Sequence, residues 1–251
     1  YYTVYGLLSR VMEGRVLVVL PTFNERENIR EIVENLVSLY PSFKILVVDD
    51  ASVDGTGNVA DQLSTEFDNV DVMHRLGKRG RGAAVKAGLE YAVKNYFDFV
   101  VEMDADFSHN PAQVGGFLEN IEGFDMVVGS RYVEGGRAVY DSRIRFWLSR
   151  VSNFFNKMII GLPFMDVTCD FRCYRVESLR KLKFDSVKSS GFAFGVEFLY
   201  HAFLNGFRVK EIPIEFRERV RGRSKTDWRV ILKYPLEVFR LKRNYSRRRV
   251  V

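Results

Sequence analysis

Three apolar runs in roughly the first hundred residues each lead into carboxylates, and this pattern restricts the possible folds more than any other feature. Arg15–Leu20 (RVLVVL), Phe43–Val48 (FKILVV) and Phe97–Met103 (FDFVVEM) are short and rich in β-branched and aromatic residues. Such runs read as strands buried on both faces. The first is stopped by Pro21 with Glu25 beyond it, the second is closed by Asp49-Asp50, and the third ends in Asp104 and Asp106. Carboxylates do not sit unpaired beside a core, because desolvating the charge is too costly. Open α/β sheets keep their ligands at the carboxyl ends of the strands. The economical reading is that Asp104 and Asp106 face a hard divalent cation, Mg²⁺ or Mn²⁺, carrying phosphate groups. A polar exit from strand to loop explains a lone Asp-x-Asp equally well, so the rest of the chain has to decide.

The segments between these strands have helical character. Ile29, Ile32, Val33, Leu36 and Val37 recur at helical spacing up to Pro41, with Asn24 expected as the cap and Glu25 and Glu27 in the first turn. Asp54-Gly55 marks the turn into a second helix, and Val70–His74 reads as a short strand. The loop Gly77–Gly82 (GKRGRG) opens a helix over Ala83–Tyr96, and its Lys78–Gly82 part reads as a solvent-facing cation cluster or, less readily, as a phosphate nest. Strand and helix alternating over short connections predict a doubly wound α/β sheet, Rossmann-like and mostly parallel. After about residue 130 the alternation weakens. Phe124–Gly129 reads as a strand, Ser142–Ile160 as a helix with Phe146, Trp147, Phe154 and Phe155, and Lys210–Phe216 as an edge strand because it contains Pro213. Trp228–Leu241 mixes apolar and basic residues, as in an amphipathic helix that packs on the domain or lies on a membrane.

The net charge of +6 is unevenly placed, with basic residues crowded between Arg217 and Arg249. That end suggests an anionic partner. No aromatic stacking platform interleaves its basic residues, which argues against nucleic acid. Cys169 and Cys173 do not make a disulfide scaffold or, with three scattered histidines, a zinc site, so a reduced cytosolic setting is expected. No stretch approaches the roughly 20 apolar residues needed to span a bilayer. Residues 1–14 make a poor signal peptide.

In a parallel sheet the ends bearing Glu25, Asp49-Asp50 and Asp104/Asp106 lie on one rim and converge. The turn Pro21–Glu25 (PTFNE) is not a glycine-rich phosphate cradle, which disfavours a simple dinucleotide fold. Val18–Glu25 (VVLPTFNE) together with Asp49–Thr56 (DDASVDGT) resembles the opening of inverting glycosyltransferases of the GT-A fold. Met103–Pro111 (MDADFSHNP), Gly129–Tyr132 (GSRY), Asp166–Arg175 (DVTCDFRCYR), Gly191–Phe198 (GFAFGVEF) and Glu211–Lys225 narrow the resemblance to dolichyl-phosphate mannosyltransferases. These motifs span roughly residues 15–228, the expected catalytic domain, which leaves residues 229–251 as a basic C-terminal extension.

The resemblance implies transfer of mannose from GDP-mannose to dolichyl or another polyprenyl phosphate, with inversion and with a divalent ion on the diphosphate. Carried over by position, Pro21, Phe23, Glu25, Val48 and Asp50 line the nucleoside pocket, with Phe23 where relatives usually have Tyr. Asp104 and Asp106 hold the metal, with the Ala105 backbone nearby and Ser108 as a third ligand. Arg131, Arg219 and Lys225 contact the phosphates, and Arg145 and Ser149 match the acceptor-phosphate pair. Asp170 stands where relatives usually carry Gly, Cys169 where they carry Ser, and Gly195 where Gln is common. Relatives reach their lipid through appended transmembrane helices or a small membrane subunit; this chain is expected to dock peripherally, at the cytoplasmic face, through Trp228–Arg249, with truncation of a longer chain as an alternative.

Arg145 and Ser149, four residues apart, project from one helical face and can grip one phosphate together. A polyprenyl phosphate is already anionic at neutral pH, so no obligatory catalytic base is expected, unlike transfer to a hydroxyl. Asp106 can also stabilise the oxocarbenium-like centre. Glu197 reads as a cleft acid near the sugar or as a buried structural acid, and Phe154, Phe155 and Phe164 as a lipid-facing wall or as core. The rival readings are a transferase using UDP-glucose or a UDP-hexosamine, and a non-catalytic module that binds membrane or nucleic acid.

Overall fold

The computed structural model describes residues 14–77, 80–140, 142–189, 191, 193–219 and 228–248, without the side chains of 145, 228–233 and 246–248. The predicted alternation is present. In chain order the elements are β1 (Val16–Thr22), α1 (Ile29–Leu39), β2 (Lys44–Asp49), α2 (Thr56–Glu66), β3 (Val70–His74), α3 (Arg81–Lys94) and β4 (Phe99–Glu102). There follow α4 (Val114–Glu119), β5 (Met126–Ser130), β6 (Arg137–Val139), α5 (Arg143–Ile160), β7 (Arg172–Arg175), α6 (Val176–Leu179), α7 (Ala193–Leu204), β8 (Val209–Pro213), β9 (Glu215–Arg217) and α8 (Trp228–Arg248).

Seven strands form one sheet in the order β3-β2-β1-β4-β7-β5-β8. β1, β2, β3 and β4 are parallel, as are β5 and β8, whereas β7 runs antiparallel to β4 and β5. Pro213 lies in the edge strand β8, where its missing N–H interrupts no ladder. β6 and β9 form a separate parallel pair. Every residue of β1 and of β4 is buried, as expected for strands covered on both faces.

Some local expectations give way to tertiary context. β1 runs through Pro21 to Thr22, two residues beyond its expected end, and Pro21 pairs in register with Val48. Asn24 does not cap α1. It adopts a left-handed backbone (φ 55°), and its Oδ1 accepts from Val53 N–H, while Asn28 occupies the cap position. α8 begins at Trp228 and packs on the domain, one of the two arrangements expected of it. Its Val238, Leu241 and Tyr245 are buried, Tyr234 OH accepts from Asn156 Nδ2, and Phe239 meets Phe155 edge-on.

α3 crosses β1 so closely that Gly88 has no room for a side chain: a Cβ there would overlap Val19 Cγ1. Gly88→Ala should therefore lower the unfolding free energy by about 1–3 kcal/mol in urea titration, although alanine is the better helix former. A gain in stability would mean that α3 sits further from the sheet.

Candidate active site

The carboxyl ends of β1, β2, β4 and β5 share one rim, and the antiparallel β7 begins on it, with Arg172 opposite Glu102. The loops leaving these ends therefore bring Glu25, Asp50, Asp104, Asp106 and Arg131 to the same side, together with Asp170 just before β7. Among the described residues, four non-glycine residues have positive φ, and three lie on this rim: Asn24 (55°), Ala51 (57°) and Phe107 (63°). Non-glycine residues held there carry strain that concentrates at functional sites.

Each acid on the rim is matched by a donor. The Asp50 carboxylate takes the Arg75 guanidinium and, 2.6 Å away, the Gly80 N–H. Glu25 accepts from Asn28 Nδ2 (3.0 Å) and Arg219 Nη1 (3.3 Å), and Arg219 Nη2 lies 2.8 Å from Asp106 Oδ2. Asp106 Oδ1 accepts from Ser108 N–H at 3.0 Å. Burial alone would raise the Asp106 pKa, but the Ser108 hydrogen bonds and Arg219 outweigh it and hold the carboxyl below its usual range. Asp104 Oδ1 accepts from Arg81 Nε and Nη2 at 2.8 and 2.7 Å, and the Asp104 N–H donates to His109 Nδ1.

Arg81 also reaches Glu102 Oε1 (3.0 Å) and Asp170 Oδ2 (2.9 Å). Glu102 is fully buried, and its other oxygen accepts from Tyr174 OH at 2.9 Å. Burial pushes its carboxyl up to about 7, against the pull of Arg81. Two departures from the expected motifs meet here: a Cβ at Gly195 would overlap Asp170 Oδ1, so the aspartate occupies the volume of the missing side chain.

A second cluster lies past β5. Arg131 forms a two-pronged pair with Asp166 (Nε to Oδ2 2.7 Å, Nη2 to Oδ1 2.8 Å), and Nη2 also donates to Thr168 Oγ1. Its Nη1 donates to Tyr140 OH (3.0 Å) and Ser149 Oγ (3.3 Å). Tyr132 and Tyr140 hydroxyls lie 3.0 and 2.8 Å from the same Ser149 Oγ. Burial works to raise the Asp166 pKa, yet Arg131 outweighs it and holds the carboxyl below its usual value. The Arg131 guanidinium also lies over Phe216, which meets His109 edge-on, so the two clusters share one aromatic wall.

Over residues 17–183 the chain matches the model for glycosyl transferase family 2. The chain belongs to that family. It is 42% identical over 213 residues to a polyprenol monophosphomannose synthase of Mycolicibacterium smegmatis, covering 84% of this chain and 80% of that protein. An undecaprenyl-phosphate mannosyltransferase of Micrococcus luteus is 39% identical, with 84% and 87% covered. Among solved structures, glucosyl-3-phosphoglycerate synthase of Mycobacterium tuberculosis, in complex with Mn²⁺, UDP-glucose and phosphoglyceric acid, superposes with a TM-score of 0.70 at 17% identity, covering 95% of this chain and 83% of that one. That likeness establishes the GT-A-like fold.

Within this family 2 glycosyltransferase the expected site residues differ in how they are engaged. Pro21, Val48 and Ala105 are buried at or just beyond the strand ends, with Phe23 partly exposed beside them. Asp104 and Asp106 face guanidinium groups, and the Ser108 N–H is spent on Asp106. Among the described residues no group of three or more His, Cys, Asp or Glu is arranged to hold an ion. Mg²⁺ and Mn²⁺ take one or two carboxylates and complete their shell from phosphates and water. The donor set therefore fits a divalent cation arriving with a diphosphate, and does not fit a cage built from protein alone.

Arg145 lies four residues before Ser149 on α5, its side chain outside the described atoms, and Lys225 lies outside the described residues. The Gly77–Gly82 loop is neither a phosphate nest nor a solvated cation cluster at its described end, since Gly80 N–H serves Asp50 and Arg81 is a clamp. Glu197 is structural: it accepts from Lys188 and Ser189 N–H at 3.1 and 2.8 Å. Phe155 and Phe164 pack against Phe239 and Phe203, whereas Phe154 is exposed. Sequence reasoning gave no role to Glu102, Arg81 or Asp166. Glu102 was detectable, because a carboxylate inside an apolar strand demands a buried cation.

Asp166→Asn should cost about 3–5 kcal/mol at pH 7, because it leaves the Arg131 charge buried and uncompensated. The wild-type contribution is present above the unfolded aspartate value of about 3.9 and is lost as pH falls through the lower folded value. Urea titrations from pH 7 downward should thus bring the two proteins together in acid; a gap that stays constant would contradict the pairing.

Proposed function

We propose that this enzyme transfers mannose from GDP-mannose to the phosphate of a polyprenyl phosphate of the dolichyl or undecaprenyl kind, with inversion and with Mg²⁺ or Mn²⁺ on the diphosphate. The relatives at 39–42% identity, a polyprenol monophosphomannose synthase and an undecaprenyl-phosphate mannosyltransferase, support the sugar and the lipid class. The motif resemblance supports the guanine nucleotide. The decisive observation is that α5 sets Ser149 against Arg131, Tyr132 and Tyr140 on its inner face and leaves an apolar stripe exposed on its outer face, as an acceptor with an anionic head and a hydrocarbon tail requires.

Pro21, Phe23, Glu25, Val48 and Asp50 would receive the nucleoside. Asp104 and Asp106 would hold the divalent cation beside the Ala105 backbone, with Ser108 fixing the Asp106 carboxylate. When bound, the cation neutralises the departing diphosphate as a Lewis acid. Arg219, held by Asp106 and Glu25, would contact the diphosphate. Asp166 locks one edge of the Arg131 guanidinium, so Nη1 is the nitrogen that exchanges its hydroxyl partners for an acceptor phosphate oxygen. Ser149, with Arg145 and Lys225 by motif position, would complete the grip. The acceptor oxygen is already anionic, so no proton has to be removed. The protein brings two repelling anions into line and screens them.

Ile144, Trp147, Leu148, Val151, Phe154 and Met158 of α5 lie on one face, and their exposure runs from 51% at Leu148 to 72% at Ile144. Phe239 of α8 continues the patch. Exposed Arg143, Arg150, Arg240, Lys242 and Arg243 lie on the same two helices. An apolar stripe with basic flanks suits a bilayer of anionic lipid, the character of a cytoplasmic leaflet. No described helix is long and apolar enough to cross a membrane. Docking is therefore assigned to α5 together with the outer face of the C-terminal helix, whose inner face is packed on the domain.

With Mn²⁺ present, GDP-mannose should raise the melting temperature more than UDP-glucose does; stabilisation by UDP-sugars alone would replace the donor. Asp106→Ala should lower mannosyl transfer to undecaprenyl phosphate by about 10²–10³-fold, and full retention of transfer would sink the proposed site. Val151→Glu combined with Phe154→Glu should weaken binding to vesicles containing phosphatidylglycerol by about tenfold or more. Unchanged sedimentation with vesicles would move the membrane surface elsewhere.

A further inference from the structure

Arg81 is gripped by three carboxylates, one of them on a residue proposed to hold the cation. Its Nε and Nη2 occupy Asp104 Oδ1, while Nη1 is shared between Glu102 Oε1 and Asp170 Oδ2. Arg172 lies beside this group, fully buried, and donates to the carbonyls of Cys169 and Gly195. Its Nη2 stands 3.4 Å from Asp170 Oδ1 without hydrogen-bond geometry, and both atoms are buried without a hydrogen-bond partner among the described residues. Two guanidinium groups thus face three carboxylates, and Asp170 Oδ1, beside Arg172 Nη2, makes no hydrogen bond among the described residues.

We infer that Arg81 is a positioning residue that competes with the divalent cation for Asp104 Oδ1 and, on yielding it, stays anchored on Glu102 and Asp170. This rests on the cation-assisted transfer proposed above. Because Nη1 is already tied to those two acids, Arg81 can release Asp104 without leaving the rim, and the vacant Asp170 Oδ1 is an acceptor within the same cluster. A cation arriving alone must displace a charge-assisted contact for a site with only two carboxylates. A cation arriving with a diphosphate brings its own oxygen ligands, so nucleotide and cation bind cooperatively. Gly195 belongs to the device, since a Cβ there would overlap Asp170 Oδ1 and force the carboxylate that anchors Arg81 to shift.

The test is Mn²⁺ binding by the full chain, followed by the electron paramagnetic resonance signal of free Mn²⁺, with and without GDP. Without GDP, Arg81→Gln should bind Mn²⁺ at least about tenfold more tightly than the parent, the change expected on removing one charge-assisted competitor. The enhancement by GDP should shrink accordingly. Arg81→Lys keeps the charge but loses the forked grip. It should give a smaller rise, and it carries the test if circular dichroism shows that Arg81→Gln does not fold. Gly195→Ala alters no charge; by displacing Asp170 it should leave Arg81 more fully on Asp104 and weaken Mn²⁺ binding without GDP. Equal or weaker binding by the folded Arg81 variants overturns the inference, as does unaltered binding by Gly195→Ala. A parent protein that binds no Mn²⁺ even with GDP would instead remove the proposed function, and the inference with it.

Discussion

Desolvated carboxylates on the rim of a buried sheet have to be neutralised, and the architecture of this enzyme follows from how that is done. Five guanidinium groups share the load, with Arg75 on Asp50, Arg81 on Glu102, Asp104 and Asp170, Arg172 also on Asp170, Arg219 on Glu25 and Asp106, and Arg131 on Asp166. Buried ion pairs seldom stabilise a fold more than well-packed apolar residues would. A rim built this way is therefore poorly explained by stability, and well explained by ligands whose own charges take over from the guanidinium groups.

β7 makes the clustering possible. By running antiparallel between β4 and β5, it starts where its neighbours end, and so delivers Asp170 and Arg172 to the rim opposite Glu102. In an all-parallel sheet the start of that strand would lie at the far edge. The left-handed residues Asn24, Ala51 and Phe107 serve the same end, turning the chain sharply so that the adjoining acids face the rim.

Much of this was legible in the sequence for one reason: a strand buried on both faces has no polar alternation, so its end is announced by the first carboxylates. That logic located β1, β2, β4 and the rim acids together. It failed where the deciding contact lies far along the chain. Asn24 has a good composition for a cap, but Val53, 29 residues away, claims its side chain. Nothing local in Phe171–Arg175 marks β7 as antiparallel. Arg81 lies among glycines and cations that read as solvated, and only the fold brings Glu102 and Asp170 to it. The amphipathic composition of α8 suited packing on the domain first and a membrane second, and its inner face, with Val238, Leu241 and Tyr245 buried, does pack on the domain.

The two faces of α5 set where the proposed transfer would take place. A helix with its side chains is about 10–12 Å across, and an interfacial helix sinks its apolar face about 5–10 Å into the boundary between headgroups and acyl chains. With Trp147, Val151 and Phe154 at that depth, Ser149 and Arg131 on the opposite side come to rest near the level of the headgroup phosphates. A polyprenyl phosphate would then meet the polar cluster around Ser149 and Arg131 without its tail leaving the bilayer. Of the two substrates only the nucleotide sugar would have to travel, entering from water onto a rim whose acids are already held in place. The energy needed to lift a long isoprenoid into water, about 0.8 kcal/mol for each buried methylene, is avoided by bringing the protein down to the lipid.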